Sequence, residues 1–132
     1  MKVVLDASAA IEVALGRKQA AQLAGILAEA DVVLAPELFV PEVVNTIWKY
    51  HQFEQLSLSV CDRAIEAALG LVDALIPSKE IHGEAFLLAR TARRSAYDMF
   101  YVALARREDA VFLTTDAALR KEAERQGVRV VA

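Results

Sequence analysis

Short apolar runs alternate with longer helical stripes along this chain. Runs of three or four apolar residues predict β-strands at 3–5, 32–35, 111–113 and 128–131. A further apolar run at 74–76 is followed by Pro77, which is typical of a strand at the edge of a sheet. Strands that are apolar throughout and separated by helices predict βαβ units. The expected fold class is therefore α/β, with a central parallel sheet of four to five strands.

The spacing of apolar residues between these strands predicts helices. The predicted helical segments are 9–15, 19–30, 40–51, a segment that follows Ser59, 81–93 and 117–125. Gly16 and Gly127 are the stop signals of two of them. The segment 95–105 is apolar on nearly every side, and Asp98 is its only charge. Such a pattern predicts a buried helix.

Composition and charge limit the classes of function. The chain has 132 residues, which suits a single domain over residues 1–132. A net charge of -3 argues against binding nucleic acid through overall charge, although a nuclease whose metal ions carry the local positive charge stays possible. A lone Cys61 excludes an internal disulfide and is expected to be a buried thiol. Without a signal-peptide pattern or a long apolar run, the expected location is cytoplasmic, with no membrane association.

Four carboxylates stand where predicted elements begin or end. Asp6 and Asp116 each follow a strand, whereas Glu42 and Asp98 lie in the first turns of helices. Any one of them could be a helix cap or a charge that the helix dipole favours. Ser8 is a second candidate cap for the first helix.

Taken together, the four acids are harder to explain as caps. Right-handed crossovers bring the carboxyl ends of parallel strands to one edge, so Asp6, Glu42 and Asp116 are expected to meet there. Asp98 is the single charge of an apolar helix, which a solvated face does not explain. Carboxylates that share a partly buried cleft raise one another's pKa, and a divalent cation removes that repulsion. All-oxygen sites suit Mg²⁺ or Mn²⁺.

Other polar residues near these acids are weaker candidates. Side chains that could orient a ligand or a water are Ser8, Asn45, Thr114 and Thr115. Candidate contacts to phosphate groups are Lys79, Arg93 and Arg94, although basic residues at the end of a helix are common without such a role. His51 lies on an apolar stripe and is expected to be a core histidine rather than a metal ligand.

Several short motifs, in order, resemble the PIN-domain ribonucleases and most of all the VapC toxins of VapBC toxin–antitoxin modules. The motifs are Leu5-Asp6-Ala7-Ser8, Pro41-Glu42-Val43-Val44-Asn45, Tyr97-Asp98 followed by Tyr101-Val102-Ala103-Leu104-Ala105, Leu113-Thr114-Thr115-Asp116 and the closing Gly127-Val128. Each motif alone is weak, whereas the ordered set is specific and spans nearly the whole chain.

The resemblance implies a PIN-like three-layer α/β/α fold and a Mg²⁺- or Mn²⁺-dependent endoribonuclease. It implies that Asp6, Glu42, Asp98 and Asp116 bind the metal and carry the catalysis. It also implies a cognate VapB antitoxin as inhibitor and partner, a homodimer, and a heterotetramer or larger assembly with the antitoxin. The expected reaction is metal-assisted hydrolysis of an RNA phosphodiester.

Two questions stay open at the level of sequence. The aromatic residues Trp48, Tyr50 and Phe53, with the apolar stretch 23–27, could form a groove for an antitoxin helix, but Trp48 could equally belong to the core. The second question is whether the chain is instead a PIN-fold binding or regulatory module that acts through a protein partner without catalysis. Intact acids count against that alternative.

Overall fold

The computed structural model describes residues 1–131, which form four β-strands, seven α-helices and one 3₁₀ turn. The strands are β1 (Lys2–Leu5), β2 (Val32–Pro36), β3 (Ala74–Ile76) and β4 (Val111–Leu113). The helices are α1 (Ala7–Ala14), α2 (Ala20–Glu29), α3 (Phe39–Glu54), α4 (Leu58–Leu69), α5 (His82–Ala92), α6 (Ala96–Glu108) and α7 (Ala117–Arg125). The 3₁₀ turn, Ser78–Glu80, lies between β3 and α5. Each predicted helix is present, with bounds shifted by a few residues.

All four strands are parallel and lie in the order β3–β2–β1–β4. Val3 stands opposite Val33 on one side of β1, and Val4 stands opposite Phe112 on the other. The residues of β1 from Val3 onward are fully buried, as expected for a strand that is covered on both faces. β3 lies at the edge of the sheet, as the proline that follows it predicted.

The final predicted strand, 128–131, is shorter than expected. Val130 makes one parallel bridge to Phe112, whose N–H donates to the carbonyl of Arg129 at 2.9 Å. β4 has only three residues and so offers a short edge for pairing. The Arg129 side chain, moreover, turns away to donate to the carbonyl of Asp109 at 2.7 Å. This bridge adds a fifth chain segment beside the four strands, within the expected count of four to five.

The order of the strands places a crevice between β1 and β4. The chain moves outward from β1 to β2 to β3 and then returns past β1 to β4. Right-handed crossovers put α1–α4 on one face of the sheet and α5–α7 on the other, giving three layers. The contacts between helices agree with this division into two outer layers, because α1, α3 and α4 contact one another, while α5 packs on α6. The point at which strand order reverses is where such sheets bind ligands.

The helix α6 is buried, as its apolar pattern predicted. Met99 and the run Tyr101–Ala105 are at most 2% exposed. Ser95 begins the helix, since its Oγ accepts a hydrogen bond from the N–H of Tyr97 at 3.1 Å. Cys61 is also buried, as expected. No helix within residues 1–131 has both the length and the apolar character to cross a bilayer.

The predicted aromatic cluster of α3 divides between two environments. Trp48 and Phe53 form an edge-to-face pair on the surface, so Trp48 is not a core residue. Tyr50 is half-buried beneath the guanidinium of Arg17. Leu23 lies in the core, on the helix α2 that packs against α1, which removes it from any groove with these rings. His51 is half-buried, and its Nδ1 is 2.7 Å from the carbonyl oxygen of Leu56.

We expect Phe112→Ala to lower the free energy of unfolding by about 3–5 kcal/mol, because it empties a fully buried site in β4. Phe53→Ala is the matched control, since that ring is 76% exposed and the expected loss is below about 1 kcal/mol. Urea denaturation of both variants measures the difference. Equal losses would contradict the placement of Phe112 in the core.

Candidate active site

Asp6 lies where β1 ends and caps the N-terminus of α1. Its Oδ1 accepts hydrogen bonds from the N–H of Ala9 at 2.9 Å and from the Oγ of Ser8 at 2.7 Å. Burial raises the pKa of Asp6 from 3.8 to about 6, and the charge of Asp116 adds to that effect, whereas the hydrogen bonds lower it. Within residues 1–131, no Lys, Arg or His forms an ion pair with this carboxylate. Asp6 is thus both a helix cap and a buried negative charge.

Glu42 stands in the first turn of α3 and is bonded to a buried tyrosine. The hydroxyl of Tyr101 donates to the Oε1 of Glu42 at 2.6 Å. Burial raises the pKa of Glu42, the charges of Asp6 and Asp98 raise it further, and the bond from Tyr101 opposes them. Burial and the charge of Glu42 also raise the pKa of Tyr101, so its hydroxyl keeps the proton that it donates.

Asp98 and Asp116 share a different partner. The Nη2 of Arg94 is 3.2 Å from the Oδ2 of Asp98 and 3.8 Å from the Oδ2 of Asp116. Asp98 lies one turn after Arg94, in the first turn of α6. Asp116 follows β4 and caps α7, because its Oδ1 accepts the N–H of Leu119 at 3.1 Å. The carboxylate of Asp98 therefore points at Arg94, while Ser95 caps the N-terminus of α6.

The turns after β1 and β4 are joined by hydroxyl groups. The Oγ atoms of Ser8 and Thr114 are 3.4 Å apart. The N–H of Thr115 donates to Ser8 Oγ at 3.2 Å, and the N–H of Asp116 donates to Thr114 Oγ1 at 3.1 Å. These bonds hold the ends of two neighbouring strands, and hence Asp6 and Asp116, in a fixed relation.

One cleft of about 270 Å³ lies at this edge of the sheet. It is lined by the four acids Asp6, Glu42, Asp98 and Asp116 and also by Ala7, Ser8, Asn45, Thr46, Lys49, Tyr101 and Leu119. Mutual repulsion among the acids is visible in the pKa values of Asp6 and Glu42 described above. The arrangement can bind a cation through oxygen ligands.

A family model describes almost the entire chain. Residues 3–124 match the model of the PIN domain. The chain belongs to the PIN-domain family. The recognition made from the ordered motifs is therefore confirmed at the level of the family.

Two solved structures have the same fold as this PIN domain. PAE2754 from Pyrobaculum aerophilum is 20% identical, with a TM-score of 0.75, and the match covers 99% of this chain and 90% of that one. VapC20 from Mycobacterium tuberculosis, described as a toxin that cleaves the sarcin–ricin loop, is 16% identical, with a TM-score of 0.64 and coverage of 96% and 95%. A comparison with curated proteins finds no match. These likenesses confirm the three-layer PIN-like fold.

The candidate residues named from sequence fall into three groups. The four acids, Ser8 and Asn45 line the cleft of the PIN domain, and Thr114 and Thr115 lie just behind it. Arg94 reaches the cleft through its two acidic partners. Arg93 has a left-handed backbone with φ of 54° and ends α5, and neither it nor Lys79 lines the cleft.

Tyr101 and Lys49 are two of the cleft residues that were not among the candidates named from sequence. Tyr101 was assigned only to the buried face of α6, yet it lies three residues after Asp98 and donates to Glu42. Lys49 lies four residues after Asn45 in α3, and it also lines the cleft. Helical spacing from a residue already proposed for the site would have indicated both of them.

The residues of the cleft fit a divalent cation in chemistry and charge. Their donors are carboxylate and amide oxygens, which Mg²⁺ and Mn²⁺ prefer. The bonded partners of Asp6, which is buried, and of Glu42, which is half-buried, are the neutral groups of Ala9, Ser8 and Tyr101. Within residues 1–131 no three acidic, His or Cys side chains already form a closed chelate. Binding an ion therefore requires the carboxylates to draw together.

We expect Asp6→Asn to stabilise the metal-free chain at pH 7 by about 1–3 kcal/mol, because asparagine keeps the cap and removes a buried charge. The folded-state pKa of Asp6, about 6, lies above its ordinary 3.8, so the native state takes up a proton more readily. The contribution of Asp6 to stability should therefore increase as the pH falls through 6 and level off below about 4.

The difference in stability between wild type and Asp6→Asn should thus narrow from pH 7 to pH 4.5 in urea denaturation with a chelator present. Asp62→Asn, a change to an exposed acid on α4, is the matched control and should show no such trend. A difference that stays constant over this range would contradict the raised pKa of Asp6.

Proposed function

We propose that this PIN domain is a Mg²⁺- or Mn²⁺-dependent endoribonuclease that hydrolyses RNA phosphodiester bonds as a VapC-like toxin. The observation that supports it best is the meeting of four carboxylates in one cleft, at the point where the strand order reverses. Two of those carboxylates, the buried Asp6 and the half-buried Glu42, have no cationic partner among the described residues, and a bound cation would relieve that condition. The ordered VapC-like motifs supply the substrate class.

In this proposal the protein holds and orients the reacting groups. Asp6, Asp98 and Asp116 hold the main ion, and Glu42 completes the site or supports a second. When bound, such an ion lowers the pKa of its water and stabilises charge on the phosphate. Tyr101 fixes the carboxylate of Glu42 from the buried side, and Ser8 does the same for Asp6. Neither histidine of the chain is needed as a general base.

Contacts to the RNA backbone must come from Lys and Arg side chains close to the cleft, because the net charge of the chain is negative. Lys49 lines the cleft, and Arg94 stands beside its acids, so these two can meet a phosphate close to the ion. Lys79 and Arg93 remain predicted phosphate contacts farther along the RNA. Phosphate contacts of this kind position a substrate without reading its sequence.

We also propose a VapB-like antitoxin as the partner of this chain, and a homodimer that forms a heterotetramer or larger assembly with it. The exposed rings of Trp48 and Phe53 form an apolar patch on α3, where an amphipathic helix could pack. If the product of the neighbouring gene co-purifies with the chain, Trp48→Ala and Phe53→Ala should weaken that association. Unchanged association would place the antitoxin elsewhere.

A binding module without catalysis is the second candidate. The observation in its favour is the lack, within residues 1–131, of a closed chelate among the acids. Titration of the wild-type chain with Mg²⁺ and Mn²⁺ by calorimetry separates the two functions, since a binding module has no need of either ion.

We expect Asp6→Asn and Asp98→Asn each to lower the rate of RNA cleavage in Mg²⁺ by at least about 100-fold, the typical effect of removing one group that stabilises the transition state. The measurement is cleavage of a single-stranded RNA pool by purified, folded protein. Asp62→Asn is the matched control and should cleave at the wild-type rate, because that acid lies outside the cleft. Full activity of either site variant would overturn the assignment.

A further inference from the structure

Arg94 is the one arginine within residues 1–131 that pairs with acids of the cleft. Its Nη2 lies between the Oδ2 atoms of Asp98 and Asp116, at 3.2 Å and 3.8 Å. The side chain is 26% exposed, and it sits in the short link between α5 and α6, directly before the cap residue Ser95. One guanidinium therefore joins the start of α6 to the cap of α7.

The charges of the cleft are consequently divided into two halves. In one half, Arg94 neutralises part of the charge of Asp98 and Asp116. In the other half, Asp6 and Glu42 are bonded only to neutral donors. Lys49 also lines the cleft, but among residues 1–131 it forms no ion pair within 4 Å. Thus an arginine of the chain pairs with Asp98 and Asp116, whereas Asp6 and Glu42 have no cationic partner among the described residues.

One hydrogen bond, to Asp98, and an ion pair with Asp116 indicate that the two carboxylates hold Arg94 in place. Its Nε is buried and has no hydrogen-bond partner within the described residues. A buried donor without a partner costs about 1–3 kcal/mol, which the pairing with Asp98 and Asp116 has to offset. A guanidinium keeps its charge at any pH that a protein tolerates, so it acts as a permanent cation at that position.

We propose that Arg94 takes the place of a second metal ion, so that the site binds one divalent cation per chain. In two-ion phosphodiesterases, carboxylates bridge two ions about 3.5–4 Å apart. Here Asp98 and Asp116 contact the guanidinium of Arg94 and would also hold the single ion together with Asp6. Arg94 is a positioning residue that excludes a second ion by its charge and holds two ligands of the first. The inference rests on the proposed metal-dependent function.

The test counts bound Mn²⁺ without RNA, by calorimetry and by electron paramagnetic resonance of the free ion. We expect one ion per chain for wild type and two for Arg94→Gln, which removes the charge but can still bond Asp98. Arg94→Lys keeps the charge and should bind one. Arg90→Gln is the matched control, because Arg90 stacks on the exposed Phe86 of α5 away from the acids, and it should also bind one.

The outcomes separate this inference from the function on which it rests. Two ions in wild type, or one in Arg94→Gln with its thermal unfolding unchanged, would overturn the role of Arg94 while leaving metal-dependent cleavage intact. No ion in wild type would overturn both the metal dependence and this inference. Two ions in Arg90→Gln would show that loss of a positive charge away from the acids suffices, and this result would also overturn the specific role of Arg94.

Discussion

The crowding of negative charge at the edge between β1 and β4 governs this structure. Parallel strands with right-handed crossovers bring their carboxyl ends together. In this chain Asp6 comes directly after β1, and Asp116 is the third residue after β4. Asp6 and Asp116 are held there by the N–H groups of α1 and α7, which they cap. The caps bring the negative charges into the cleft, where a bound cation would relieve their mutual repulsion.

Other side chains of the cleft hold the acids in place and neutralise part of their negative charge. Tyr101 is placed by the burial of α6 against the sheet, and from there it donates to Glu42. Ser8 and Thr114 link the two strand ends through their hydroxyl groups. Arg94 adds the positive charge that the half of the cleft around Asp98 requires. Neutral donors on one side and a guanidinium on the other leave one part of the cleft with uncompensated charge.

Much of the fold was predictable because its signals are local. Apolar runs at β1, β2 and β4 and the apolar α6 follow from burial on both faces, and parallel topology brings the acids to one edge. The last strand was predicted too long because its pairing depends on the three-residue length of β4, which the apolar pattern of 128–131 does not reveal.

The contacts of single side chains were harder to predict. Arg94 was named as a phosphate contact, and its additional pairing with two acids depends on the path of the link between α5 and α6. The core position of Leu23 and the surface position of Trp48 depend on how α2 and α3 rotate about their axes. Patterns of residue type do not determine such rotations when both faces of a helix carry apolar residues.

The number of protons released when Mg²⁺ binds tests most directly whether the cleft is a divalent-cation site. Calorimetric titration of the wild-type chain with Mg²⁺, repeated in buffers of different ionisation enthalpy, measures the protons released on binding. Because the pKa of Asp6 is about 6, binding at pH 6 should release a proton from a substantial fraction of the chains, and binding at pH 8 almost none. Binding with equal proton release at both pH values, or no binding at all, would contradict the account.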